Sequence, residues 1–262
     1  MTIRKVFLAA AVFFLAAGPV QAEELSPKEL MRQVDKANRT KDSRRTLTMT
    51  LMNANGSKRE RKVVSMRKQV DENNDKVLAQ FESPGDVAGT GLLTIEHDDR
   101  DDDQWLYLPA LKKTRRISAT DKTDSFMGTD FTYEDMSSLK LDEYEYKKLG
   151  TKTVDGVECA EIEMIPNNEK RKKESGYSKS ISLVDPKRYV VLQTDYFNLK
   201  DEQTKTLRSS NINQYGGIHM PDHMEMVTHK TGHKTLLEFT NTEIDVGLKD
   251  DLFTERNLMR GR

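Results

Sequence analysis

Cysteine is all but missing from this chain: Cys159 stands alone among 262 residues. One thiol builds no internal disulfide framework, and a small buried strand residue is the favoured reading for it. No Cys-x-x-Cys, no His-Glu-x-x-His and no Cys/His spacing of a zinc site occurs, so these motifs give no reason to expect a metal or cofactor. No serine sits in a Gly-x-Ser-x-Gly elbow, which removes the commonest hydrolase nucleophile. Charge of one sign is lacking too. The formal net charge is −1, which provides no global attraction to nucleic acid. No internal repeat or low-complexity linker divides the chain.

Long apolar runs are also scarce. The one present, Val6 to Ala17, follows Arg4 and Lys5 and is broken by Gly18-Pro19. A spanning helix needs roughly 20 apolar residues, so this run is too short. With Val20-Gln21-Ala22 behind it, it reads as a secretory signal peptide over 1–22. Residue 23 is Glu and not Cys, so no lipid anchor is expected at the new N-terminus. A soluble, exported mature chain from Glu23 follows. Its Lys plus Arg count falls from 42 to 40 against 43 acids, moving the formal charge to −3.

What is present is mostly strand. One helix is signalled near the start, by Ser26 as N-cap, Pro27 at the first position and Glu29 closing a capping box. Leu30, Met31, Val34 and Ala37 then recur at helical spacing, and Asn38 with the charged run to Asp42 ends it. Beyond it, Leu47, Met49 and Leu51 alternate with threonines, which is the pattern of a half-buried strand. Asn53-Ala54-Asn55-Gly56 reads as a hairpin turn. Further strands are predicted over 61–70, 76–83, 89–96, 104–108, 143–150, 158–165, 179–184, 189–197, 206–215, 223–229 and 234–244. Turns at Asp155-Gly156, Asp185-Pro186 and Thr231-Gly232 separate several of them. This is a mainly β chain: a curved antiparallel meander, or open barrel, with helical cover and one domain over 23–262.

Three segments could carry chemistry. His97-Asp98-Asp99-Arg100-Asp101-Asp102-Asp103 has clustered carboxylates that could hold a hard cation or act as a catalytic pair. It lacks the glycine and distal glutamate of an EF-hand loop and lies between two strands, so a solvated turn is favoured. Lys112, Lys113, Arg115 and Arg116 form a basic cluster. It is either a charged edge strand or a docking site for an anionic head group or acidic partner. Lys170 to Lys173 is expected in a loop. Phe126, Met127, Phe131, Tyr133 and Met136 follow no strict period. They are either core or a mobile flap over an apolar ligand.

Three stretches resemble one family. Gln104-Trp105-Leu106-Tyr107-Leu108-Pro109-Ala110-Leu111 packs five bulky apolar residues into eight positions and runs straight into the basic cluster and Ile117. Pro84-Gly85-Asp86-Val87-Ala88-Gly89-Thr90-Gly91-Leu92-Leu93 precedes it, and Asp124 to Met136 follows. Their order and spacing resemble the periplasmic outer-membrane lipoprotein-sorting proteins, the LolA-like group whose members often work beside RND-type exporters. The resemblance implies an unclosed half β-barrel with helices plugging an apolar cavity. It implies lipid or lipoprotein acyl chains as cargo, and membrane partners at both ends of the transfer: an inner-membrane RND exporter and an outer-membrane acceptor.

The expectation is therefore a non-enzymatic carrier. Leu47, Met49, Leu51, Trp105, Tyr107, Phe126, Met127 and Phe131 are the candidate cavity residues. The facing of Trp105 and Tyr107 stays open, because both sides of their strand are apolar. Lys112, Lys113, Arg115 and Arg116 are the candidate docking residues. The alternatives are an exporter adaptor that carries no lipid, and a hydrolase using the acidic segment.

Overall fold

The computed structural model describes residues 25–37 and 39–260; the predicted signal peptide, the Glu23 start and Asn38 lie outside that range. Helix α1 (Pro27–Ala37) is followed by thirteen strands in one antiparallel, unclosed sheet. The first arm of the sheet is β1 (Asp42–Met52), β2 (Lys58–Gln69), β3 (Asp75–Ser83), β4 (Gly91–Ile95), β5 (Asp103–Leu108) and β6 (Lys113–Arg116). The second arm is β7 (Tyr144–Val154), β8 (Val157–Pro166), β9 (Tyr177–Asp185), β10 (Val190–Asn198), β11 (Gln203–Tyr215), β12 (Ile218–Thr228) and β13 (His233–Ile244). Each arm is a meander. The last strand returns to pair with the first, so β1 and β13 join the arms while β6 and β7 form the two free edges. Residues 117–143 must therefore pass from one edge to the other, and they do so across the inner face.

The strands follow the expected meander with boundary shifts of a few residues. The basic cluster resolves as the edge strand β6, with Lys113, Arg115 and Arg116 on it. One expectation fails. Lys170 to Lys173 lies not in a loop but in helix α2 (Glu169–Ser175). Asn168 caps it by accepting from the Arg171 amide at 2.8 Å, and Gly176 ends it in the left-handed conformation. With seven residues and no apolar stripe, α2 has only its two caps as a sequence signal.

Residues opposite one another on neighbouring strands share a face. Across the joint, Met49 stands opposite Leu237, Leu237 opposite Met224, and Met224 opposite Ser209. Further along, Leu207 stands opposite Thr194, Thr194 opposite Ser182, and Ser182 opposite Ile162. This is the inner face. In the first arm it carries Leu47, Met49, Leu51, Val63, Phe81, Leu92 and Leu106, which pack with Ile117, Phe126 and Tyr133 of the crossing segment. The Phe126 ring lies 5.9 Å from Phe81 and 5.7 Å from Tyr133.

The outer face of the first arm is covered as well. There Met66 stands opposite Leu78, Leu78 opposite Leu93, and Leu93 opposite Trp105. The chain end seals it. Leu248, Leu252, Phe253 and Leu258, the last on helix α3 (Glu255–Leu258), pack on these strands. A side chain at Gly91 would meet Leu258 Cδ1 at 2.6 Å, so the bare backbone there seats the helix. This first arm is thus a sandwich with two apolar layers, which accounts for β5 being apolar on both sides.

Candidate functional site

The second arm is built differently. Its inner face carries small hydroxyl residues where the first arm carries large apolar ones: Ser180, Ser182, Thr194 and Ser209, each buried. The space they leave is a cavity of about 330 Å³. Ligand sites commonly run from roughly 300 to 1,000 Å³, so this one suits a single chain more than a bundle. Met31 and Val34 of α1 close one side. Met164, Tyr196, Leu207 and Met224 supply apolar wall, and residues 134–139 of the crossing segment form the roof. The helix sits there because its apolar stripe, Leu30, Met31 and Val34, packs against Ala160, Ile162, Met164 and Val184.

The roof is held by buried polar contacts. Asp135 accepts from Lys205 Nζ at 2.7 Å and from the Tyr177 hydroxyl at 2.8 Å. Asp130 accepts from Thr235 Oγ1 at 2.7 Å and meets His233 Nδ1 at 2.6 Å. Glu134 pairs with Arg171 of α2, and burial raises the Glu134 carboxyl pKa despite that partner. Burial also raises the Tyr177 and Tyr196 phenols well above their ordinary range, so both stay neutral. The middle of the crossing segment is thereby tied to the sheet and to α2 through side chains whose release would leave buried charge unpaired.

The predicted cavity residues fall elsewhere. Leu47, Met49, Leu51 and Phe126 belong to the packed core of the first arm, with Met127 against its edge. Phe131 is buried in the crossing segment, where its carbonyl accepts from the Phe126 amide at 2.8 Å. Trp105 and Tyr107 lie on the outer face under the chain end. None of these eight lines the 330 Å³ cavity. Alternation located the inner face correctly, but a large inward side chain fills space and does not leave it. The lining of this cavity comes from α1, the crossing segment and six strands of the second arm. The one local signal was the Ser-Ile-Ser-Leu alternation at 180–183.

The basic cluster is only partly free. Arg115 pairs with Asp121 at 2.9 Å, and Arg116 pairs with Asp103. The Lys112 and Lys113 side chains have no partner among the described residues. They follow Leu111, whose 63 % exposure is the largest of any big apolar side chain described. Asp102 and Asp103 of the acidic segment are buried and bind Lys140 and Arg116. The segment therefore acts as an ionic brace more than a free solvated turn, while Asp98 and Asp99 stay exposed. Among the described residues no three His, Cys, Asp or Glu converge as a ligand set, and no helix is long and apolar enough to cross a membrane.

The fold matches solved structures closely. A domain assigned to outer-membrane lipoprotein sorting, from Vibrio parahaemolyticus, is 33 % identical with a TM-score of 0.83, covering 89 % of this chain and 98 % of that one. A DUF1329 family protein from Desulfovibrio piger is 31 % identical with a TM-score of 0.83, covering 88 % and 97 %. A LolA superfamily protein from Nitrosomonas europaea shares the fold at 14 % identity and a TM-score of 0.69, covering 89 % and 100 %. No curated protein matches the sequence. A family whose description reads uncharacterized protein matches residues 73–260, more than half of the chain. The chain belongs to one family with the outer-membrane lipoprotein-sorting domain and the DUF1329 protein, and it shares the fold of the LolA superfamily protein.

Proposed function

We propose that this protein is a non-enzymatic periplasmic carrier. It binds the acyl chain of a lipid or lipoprotein in the second-arm cavity and moves it between membrane partners, one of them an RND-type exporter. The observation that supports this reading is the apolar-walled cavity under α1 and the crossing segment. Each methylene removed from water is worth about 0.8 kcal/mol, so an acyl chain leaves a bilayer readily only when another apolar wall receives it. The exposed hairpin tip of Leu111, Lys112 and Lys113 is the docking element toward an anionic membrane or acidic partner. Its cations act on encounter, over about 8 Å at physiological salt.

Mass spectrometry of the exported protein under native conditions tests the reading, followed by displacement of a fluorescent fatty acid. Co-purified lipid, and loss of probe binding in a folded Met224→Asp variant, are the expected results. Protein that carries nothing and binds no amphiphile refutes the carrier and favours the exporter adaptor. Met49→Asp, by contrast, places a charge in the packed core and is expected to prevent folding.

A further inference from the structure

The cavity wall is not uniformly apolar. Ser180 and Ser209 line it and are 7 % and 9 % exposed. Neither hydroxyl has a hydrogen-bond partner among the described residues. Their neighbours are settled: Ser182 Oγ and Thr194 Oγ1 bond each other at 3.0 Å. The phenol of Tyr196, which stands opposite Ser180, likewise has no hydrogen-bond partner among the described residues. A plain alkyl chain laid over these groups would strip them of water and return nothing, which costs affinity. A ligand with ester or hydroxyl oxygens beside its chain would meet them.

Charge narrows the class further. Two carboxylates, Glu134 and Asp135, line the cavity. Among the described residues the cations near it are all engaged: Arg171 with Glu134, Lys205 with Asp135 at 2.7 Å, and Lys179 with Glu163 at 3.6 Å. A free fatty-acid carboxylate would enter a site with acids in the wall and no unpaired cation to receive it.

Building on the carrier reading, we propose that the cavity selects a neutral lipid with hydrogen-bonding oxygens next to a single acyl chain, of the acylglycerol type, over a fatty-acid anion. Ser180 and Ser209 are the specificity-determining residues. They bond the ester and hydroxyl oxygens while Met31, Met164, Leu207 and Met224 hold the chain. Glu134 and Asp135, by holding Arg171 and Lys205, leave no cation for the anion.

The test is competition at neutral pH for a nonionic fluorescent probe bound to the full exported chain. The competitors are 1-monododecanoylglycerol and dodecanoate, matched in chain length. The glyceride is expected to bind about tenfold more tightly. In the double variant Ser180→Ala, Ser209→Ala the ratio is expected to fall below roughly threefold, mainly through weaker glyceride binding, with an unchanged unfolding midpoint. A merely structural role for the serines would weaken both ligands together and leave the ratio alone. Dodecanoate binding as tightly as the glyceride in the wild-type chain overturns the proposal, whatever the variant does, and so does a ratio that survives the double substitution. If no amphiphile displaces the probe, the carrier reading itself fails and takes this proposal with it. A diacylglyceryl-cysteine lipopeptide supplies the remaining arm. Tight binding there identifies a lipoprotein's glyceride as the source, and binding of the free glyceride alone identifies a lipid.

Discussion

The two arms of this sheet share one architecture and differ in what faces inward. In the first arm the inner positions hold leucine, methionine, valine and phenylalanine, and the crossing segment lowers Phe126 and Tyr133 onto them. In the second arm, positions equivalent in register hold Ser180, Ser182, Thr194 and Ser209, and the same crossing segment passes over a void. Helix cover is distributed accordingly. The chain end seals the outer face of the first arm, while α1 closes the inner face of the second. Curvature alone does not make a binding site in this fold. Side-chain volume on the concave face decides which half is framework and which half is receptacle.

The largest effect should come from breaking the framework half. Phe126 is 1 % exposed and touches two other rings. Phe126→Ala should lower the unfolding free energy by about 3–5 kcal/mol, the usual range for a buried phenylalanine. Leu207→Ala, beside the existing void, should cost under about 2 kcal/mol, because little close packing is lost there. Urea unfolding of both variants measures the contrast. Equal costs would mean that the cavity is as tightly packed as the core.

Much of this division was legible in the sequence, and the limit is physical. Alternation at Leu47, Met49 and Leu51 identified a buried face, and nearly every strand could be placed by its turns. The double apolarity of β5 correctly demanded cover on both sides. It could not say which cover lay on which side, because the C-terminal residues that bury Trp105 are more than a hundred positions away. The cavity was illegible for a related reason. A void is the absence of side chains from several elements at once, and no local pattern records it. The basic cluster was legible as an edge strand, but the partners of Arg115 and Arg116, Asp121 in the turn beyond β6 and Asp103 at the start of β5, are set by side-chain reach that periodicity does not predict.

A second prediction uses a charge buried in the framework arm. Glu96, just beyond β4, accepts from the Asp75 amide at 2.9 Å. Burial, aided by the nearby Asp75 carboxylate, pushes its pKa up to about 7. The folded state therefore holds a proton that the unfolded chain releases at the ordinary carboxylate value. This contribution is fully present below about pH 4.5 and is lost as pH rises through about 7. Glu96→Gln should remove that slope and raise stability above pH 7 by on the order of 2 kcal/mol. Unfolding free energies of variant and wild type across pH 5 to 8 measure it, and parallel curves would contradict the assignment.

The smallest stability effect, and the sharpest functional one, should come from making the second arm resemble the first. Ser180 lies on an inner position of β9 and is buried, and its hydroxyl bonds to nothing among the described residues. Ser180→Leu removes no hydrogen bond and adds apolar volume into existing space. Filling a real void is close to neutral, whereas forcing extra carbons into a packed site costs about 1–3 kcal/mol. The expected change in unfolding free energy is within about 1 kcal/mol in either direction. The same side chain occupies the ground an acyl chain would take, so displacement of a bound fluorescent lipid should fail in a variant with wild-type stability. Two outcomes would undo the comparison between the arms. A large destabilisation would mean that the inner face of the second arm is already full. Unaltered lipid binding in the stable variant would mean that cargo lies elsewhere, and that the hydroxyl-lined hollow is only a gap in the packing.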